Sequence, residues 1–319
     1  MKNVLVTGAG GFIGGYLVSK LIKKNFNVIC CDIKPKNKWF QIFSKSKNFY
    51  STDLNKFSNC IKVTKSVDYV FNLACNMGGM GFIENNKAAC MTSVLINTNL
   101  LNASKINKVK KYLFTSSACV YNSQKQKNTK NPGLKEEDAY PADPEDGYGW
   151  EKLFSERMCR HFKEDYGLDI RVVRLHNVYG PFGTFKGGRE KAPAALCRKI
   201  AKANNEGSID VWGDGKQTRS FLHINDCVEA TILLMRNQFR GPVNIGSEEM
   251  ISINNLAKKI INISKKELSI NNLPGPEGVR GRNSDNKLIE EKLNWKPNLN
   301  LDEGLKLTYH WISKQIANN

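Results

Sequence analysis

The chain has 319 residues, 40% hydrophobic and 24% charged, which is enough apolar content to bury an ordinary core and too much for a disordered chain. Nine scattered cysteines without a CxxC pair, and four histidines, exclude a disulfide framework and offer no metal-ligand spacing, so no metal site is expected. Lys and Arg outnumber Asp and Glu 48 to 30, for a net charge of +18, yet lysine is spread along the whole chain without an aromatic-studded stripe, which argues against a nucleic-acid partner.

The first elements follow from periodicity. Residues 3–7 read as a strand, 12–24 as a helix and 27–32 as a second strand; 68–74, 88–107 and 111–116 continue as strand, helix, strand. A polar loop over 122–146 precedes a helix over 147–166 and a buried strand over 169–175. Strands alternating with helices predict an α/β fold with a doubly wound parallel sheet of the Rossmann type. Beyond it the Gly- and Pro-bearing segments 179–188, 212–215 and 274–281 alternate with short helices, as in a smaller α+β lobe of loops and hairpins. A helix over 228–235 and a strand over 242–246 return to the first lobe. The expected division is therefore 1–176 with 220–248 for nucleotide binding, and 177–219 with 249–319 for substrate binding. No apolar run reaches the roughly 18 residues of a membrane helix. The start passes into a glycine loop before a signal-peptide core forms, so a cytoplasmic, untargeted protein with no membrane partner is expected.

Gly8, Gly11 and Gly14 are spaced as G-x-x-G-x-x-G between a predicted strand and a predicted helix. A tight turn, close approach to a pyrophosphate and helix-on-strand packing each need a glycine, and the helix N-terminus through Phe12 and Ile13 faces the phosphates. Asp32 ends the second strand, placed to accept hydrogen bonds from a ribose diol. Its carboxylate favours NAD over NADP, while Lys34 and Lys36 leave room for a 2′-phosphate. Asp53 and Leu73, each at a strand end, fall along the carboxyl edge where the cofactor lies.

Tyr148 and Lys152 stand at i and i+4, so a phenol and an ammonium project from one helical face. A tyrosine works as a base near neutral pH only when a cation stabilises its phenolate. Ser117 ends the strand preceding that helix, and Cys119 follows it by two positions.

These residues resemble the extended short-chain dehydrogenases/reductases that act on nucleotide sugars. Met77–Phe82, Ser116–Cys119 and the segments 180–195, 212–221 and 274–286 are similar, almost residue for residue, to the GDP-mannose 3,5-epimerases. The 4,6-dehydratases of the wider family carry Asp-Glu after the catalytic Ser or Thr; here Ala118-Cys119 stands instead. The resemblance implies that Tyr148, Lys152 and Ser117 oxidise a sugar C4 hydroxyl with NAD and later reduce it again. A C4 ketone acidifies the protons on C3 and C5, and inversion then needs a base on one face and an acid on the other. Cys119 and Lys191 match those positions, nearby positive charge favouring the thiolate and burial lowering the lysine. The resemblance also implies substrate contacts from Met77, Gly78, Ser117, Asn177, Glu190, Lys191, Ala192, Lys199, Gln217, Thr218 and Arg219, with Arg280 on the diphosphate. It implies a homodimer, and conversion of GDP-mannose to GDP-L-galactose with GDP-L-gulose as a side product. A GDP-heptose substrate, another nucleotide-sugar epimerase or a 4,6-dehydratase are the alternatives. Plant members carry a tail beyond the final helix, whereas this sequence stops at Asn319, so contacts from that tail are expected to be missing or replaced.

Overall fold

The computed structural model describes residues 1–41 and 48–318. The first strands are β1 (Asn3–Thr7), β2 (Asn27–Asp32), β3 (Asn48–Ser51), β4 (Tyr69–Asn72), β5 (Lys111–Ser117) and β6 (Ile170–Leu175). Between and after them lie helices α1 (Phe12–Lys23), α2 (Phe57–Thr64), α3 (Met80–Asn85), α4 (Lys87–Met91), α5 (Val94–Ile106) and α6 (Asp146–Tyr166). The chain continues through β7 (Val178–Tyr179), α7 (Ala192–Lys202), β8 (Glu206–Trp212), β9 (Thr218–Ser220), β10 (Leu222–His223), α8 (Ile224–Arg236) and β11 (Val243–Ile245). It closes with β12 (Met250–Ser252), α9 (Ile253–Ser264), β13 (Glu267–Leu273), β14 (Gly281–Arg282), α10 (Lys287–Leu293) and α11 (Leu301–Ala317).

Seven parallel strands form one sheet in the order β11-β6-β5-β4-β1-β2-β3. The doubly wound prediction is met, and the order reverses between β1 and β4, which opens a crevice at their carboxyl ends. Strand alternation explains why the sheet is covered twice. Val4 and Val6 point to a core shared with Leu17 and Leu21 of α1 and Ile232 of α8, while Leu5 points to Val63, Leu100, Leu101 and Cys159 of α2, α5 and α6. A third core gathers Leu196 and Ile200 of α7, Val211 of β8, Leu256 and Ile260 of α9, and Leu305 and Ile312 of α11.

The second half departs from the expected loops and hairpins. Among the described residues its strands pair across long sequence separations, β8 with β13 in parallel and β9 with both β12 and β14, and three helices carry the core. Ile289, Leu293 and Trp295, in the segment expected to belong to the substrate lobe, pack into the core beneath α1 and α8. The helix expected over 88–107 breaks at Thr92–Ser93, where Thr92 Oγ1 bonds back to Ala89 O and Ser93 Oγ accepts the Asn76 amide at 2.9 Å. Helix α2 carries no clear signal, because its burial rests on Cys60, Val63 and Thr64, two of them β-branched residues of low helix propensity.

Candidate active site

The glycine loop sits at the crevice between β1 and β4. Gly8 has φ +69°, and a β-carbon there would stand 2.9 Å from the Leu73 carbonyl oxygen. At Gly14 a β-carbon would overlap the Gly8 carbonyl, so α1 packs on the loop only without a side chain. Thr7 Oγ1 accepts the Leu73 and Ala74 amides at 3.2 Å each, tying the two strand ends together. Helix α1 begins after Gly11 with no side-chain cap and no acidic residue in its first turn, so the amides from Phe12 onward and the positive end of the helix dipole are left for an anion. Asp32 accepts the Gly10 and Lys34 amides at 2.9 Å, one on each oxygen, and a carboxylate has further lone pairs for a ribose diol. This cradle fits a dinucleotide. Asp53 lies just past β3 on the same edge, its Oδ1 accepting the Asn55 amide. Lys36, one of the two lysines that left NADP open, places its ammonium 4.1 Å from the Phe49 ring centroid.

Ser117 closes β5 and caps a short turn by accepting the Cys119 amide at 3.2 Å. Tyr148 lies in the first turn of α6, which packs against the turn that follows Ser117. Gly149 allows this approach, since a β-carbon there would overlap the Cys119 carbonyl. Burial pushes the Tyr148 phenol well above its ordinary range. One turn on, the Lys152 ammonium is 5.6 Å from the Tyr148 ring centroid and 3.5 Å from the Glu151 carboxylate. Burial opposes the Lys152 charge, but Cys75 and Glu151 outweigh it and raise the lysine above its ordinary value.

Met77, Gly78, Ser117, Cys119, Tyr148, Asn177, Glu190, Lys191, Ala192, Lys199, Gln217 and Arg219 all line one cavity. Two loops make it. Arg189 donates to Asn76 Oδ1 and the Met77 carbonyl at 2.8 and 3.0 Å, and stacks over the Phe82 ring at 3.7 Å, holding the Met77 turn against the segment that carries Lys191. Lys191 sits at the N-terminal boundary of α7, and burial lowers it below its ordinary value. Glu190 pairs with Arg198 at 2.9 Å and Lys199 donates to the Asp210 carbonyl at 2.6 Å. Eight of the nine cysteines are buried and Cys75 is half-buried, and no disulfide joins any of them.

Three residues stand elsewhere than expected or were not anticipated. Arg280 is absent from the cavity lining; its fork is taken by Asp214 at 2.9 and 3.0 Å and by Glu277 at 2.7 Å. Thr218 also lies off the lining, donating to the Thr129 carbonyl at 2.6 Å. The guanidinium groups at the cavity are those of Arg198, Arg219 and Arg282. Among the described residues Arg219 donates to the Thr218 and Glu277 carbonyls alone, and burial, helped by the nearby Arg282 charge, pulls it down to about 10. Arg282 was missed, although it lies two positions from Arg280 in the same motif; only the pairing of β14 with β9, which sets it opposite Arg219, distinguishes the two.

Residues 4–246 match the NAD dependent epimerase/dehydratase family. The GDP-mannose 3,5-epimerase of Arabidopsis thaliana is 50% identical over 98% of this chain and 83% of its own length, and GDP-mannose 3,5-epimerase 1 of Oryza sativa subsp. indica is 51% identical over 98% and 82%. Among solved structures, the UDP-glucose 4-epimerase of Thermotoga maritima with UDP-glucose superposes with a TM-score of 0.88 at 27% identity, covering 98% of this chain and 99% of that one. UDP-glucuronic acid 4-epimerase from Bacillus cereus, in complex with UDP-glucuronic acid and NAD, gives 0.84 at 26% identity over 98% and 99%. With half its residues shared along nearly the whole chain, this protein belongs to the NAD dependent epimerase/dehydratase family, on the branch of the GDP-mannose 3,5-epimerases.

Proposed function

We propose that the protein inverts C3 and C5 of GDP-mannose to give GDP-L-galactose, with GDP-L-gulose arising when only C5 inverts. The observation that carries this reading is the convergence of the Cys119 thiol and the Lys191 ammonium on the cavity lined by Ser117 and Tyr148. In this reading the glycine loop and Asp32 would hold NAD, which would supply reversible hydride acceptance at C4. Tyr148 moves the C4 hydroxyl proton, Ser117 orients that hydroxyl, and Lys152 supports the phenolate from the next helical turn. Once C4 is a ketone, Cys119 removes a carbon-bound proton on one face and Lys191 delivers one on the other. Met77 and Gly78 lie over the sugar. Asn177, Glu190, Ala192, Lys199, Gln217 and Arg219 contact the rest of the nucleotide sugar, with Arg219 in the diphosphate role expected of Arg280.

The nucleotide-binding part comprises 1–176 with 220–248 and the substrate part comprises 177–219 with 249–319, apart from Ile289 and Leu293 of α10 and Trp295 just after it. A homodimer is supported by an apolar stripe on α4, α5 and α6, where Met91, Leu95, Trp150 and Phe154 are 46%, 48%, 47% and 57% exposed. Light scattering on the wild type and on L95E with F154E tests it. No helix among the described residues is long and apolar enough to cross a membrane; a cytoplasmic location is part of the proposed reading.

The reaction is tested by incubating GDP-mannose with the protein in D2O and following proton NMR and mass. Deuterium at C3 and C5 with an unchanged sugar composition supports the reading. Loss of water makes the protein a dehydratase, C4 inversion without carbon exchange makes it a 4-epimerase, and exchange seen only with a GDP-heptose changes the substrate.

A further inference from the structure

The sulfur of Cys119 lies against a guanidinium. Arg282 Nη1 donates to Sγ at 3.4 Å, while Nε donates to Gln126 at 2.6 Å and Nη2 to Glu145 at 2.7 Å. The side chain of Arg282 is 4% exposed and that of Glu145 is 14% exposed. Glu145 is held at both ends: its amide donates to the Cys119 carbonyl at 3.2 Å and its other carboxylate oxygen accepts the Val279 amide at 3.2 Å. Burial works to raise Glu145, yet Arg282 outweighs it and keeps the carboxyl below its usual range. The pair therefore joins the Cys119 turn, the start of the Tyr148 helix and the segment leading into β14.

We propose that Glu145 and Arg282 are positioning residues for Cys119, Arg282 supplying the fixed counter-charge of the thiolate and Glu145 aiming the guanidinium fork at the sulfur. The proposal rests on the reading of Cys119 as the base. Lys191, Arg219 and Tyr148 also bear on Cys119 electrostatically. Lys191 cannot serve as a lasting counter-charge, because its part in the reaction is to give up a proton. A guanidinium keeps its protons near neutral pH, so the sulfur retains a cationic partner throughout. The carbon–hydrogen bond breaks as the S–H bond forms, its electron pair enters the enolate of the C4 ketone, and a Lys191 N–H bond delivers the new proton to carbon. Arg282 exchanges no proton in either step.

The test is the pH dependence of iodoacetamide modification at Cys119, read on its own peptide by mass spectrometry, in wild type, R282Q, R282K and E145Q. Removing an opposite charge in contact with an ionised group moves its titration by about one unit or more, so R282Q should slow modification near neutral pH roughly tenfold and shift the profile to higher pH. R282K, which keeps the charge and loses the fork, should shift it less. Exchange at C3 and C5 should fall in step, while formation of NADH and the C4 ketone persists. A folded R282Q with the wild-type modification profile overturns the proposal, even if its turnover falls. If R282Q does not fold, Arg282→Met with Glu145→Met removes both buried charges together and carries the same measurement. If C119S retains full C3 and C5 exchange while R282Q still shifts the modification profile, the base assignment has failed and the pairing of Arg282 with the sulfur stands.

Discussion

Gly79 and Glu190 touch through their backbones: a β-carbon on Gly79 would overlap the Glu190 carbonyl oxygen, and the Gly79 amide donates to the Arg189 carbonyl at 3.1 Å. This contact brings the Met77 turn and Lys191 to one cavity. Neither partner in the clash is a side chain that can swing aside. G79A should therefore lose about 1–3 kcal/mol of stability and push the two loops apart. Thermal unfolding reads the first effect, and a fall in C3 and C5 exchange larger than any fall in C4 oxidation reads the second. An alanine variant with wild-type exchange would show that the approach is not needed.

The proposed reading gives oxidation and carbon acid chemistry to separate residues, which implies separable defects. C119S should still form NADH and the C4 ketone but exchange C3 and C5 protons at least about a hundredfold more slowly, the usual scale for a lost general base. Y148F should lose both, because oxidation precedes exchange. Rapid mixing with absorbance detection, paired with deuterium incorporation by NMR, separates the two steps.

The guanidinium groups of Arg219 and Arg280 differ in what already holds them. Arg280 is satisfied by Asp214 and Glu277, whereas among the described residues Arg219 donates to carbonyls alone at the cavity wall. A charge-assisted hydrogen bond contributes about 1.5–3 kcal/mol, so R219A should raise KM for GDP-mannose by roughly tenfold or more. R280A should have a clearly smaller effect. Equal effects on KM would return the diphosphate to Arg280.

His176 is fully buried, with Nε2 on Asn244 Oδ1 at 2.8 Å, and burial lowers it to about 3. The unfolded chain protonates this histidine near 6.5 and the folded one does not, so the unfolded state binds the extra proton over that interval. Stability is fully present above pH 6.5 and declines as the pH falls toward about 3. The slope from one such proton is about 1.4 kcal/mol per pH unit. Denaturant titrations between pH 7 and 4 should show H176Q less stable at neutral pH but with a shallower acid decline. His223, lowered by burial to about 4, adds to the same trend.

The parts of the site that were legible beforehand are local. Gly8, Gly11, Gly14 and Asp32 belong to one strand-loop-helix-strand unit, and Tyr148 and Lys152 to one helical turn, so their geometry follows from backbone periodicity and the steric demands of a phosphate loop. The alternation of strands with helices likewise announced a sheet covered on both faces. Arg280 and Arg282 were indistinguishable by the same reasoning, since both stand in one Gly-Val-Arg-Gly-Arg segment.

By itself the sequence determined the parallel α/β sheet, the dinucleotide cradle and the Tyr148–Lys152 pair, because each depends on side chains a few positions apart on a regular element. Tertiary structure decided the surroundings of Cys119: Arg282 and Glu145 reach it from β14 and from the start of α6, and Gly79 brings the Met77 turn against the segment of Lys191. Those approaches join segments far apart in the chain, and their distances are set by how the helices and strands pack, which no local spacing encodes.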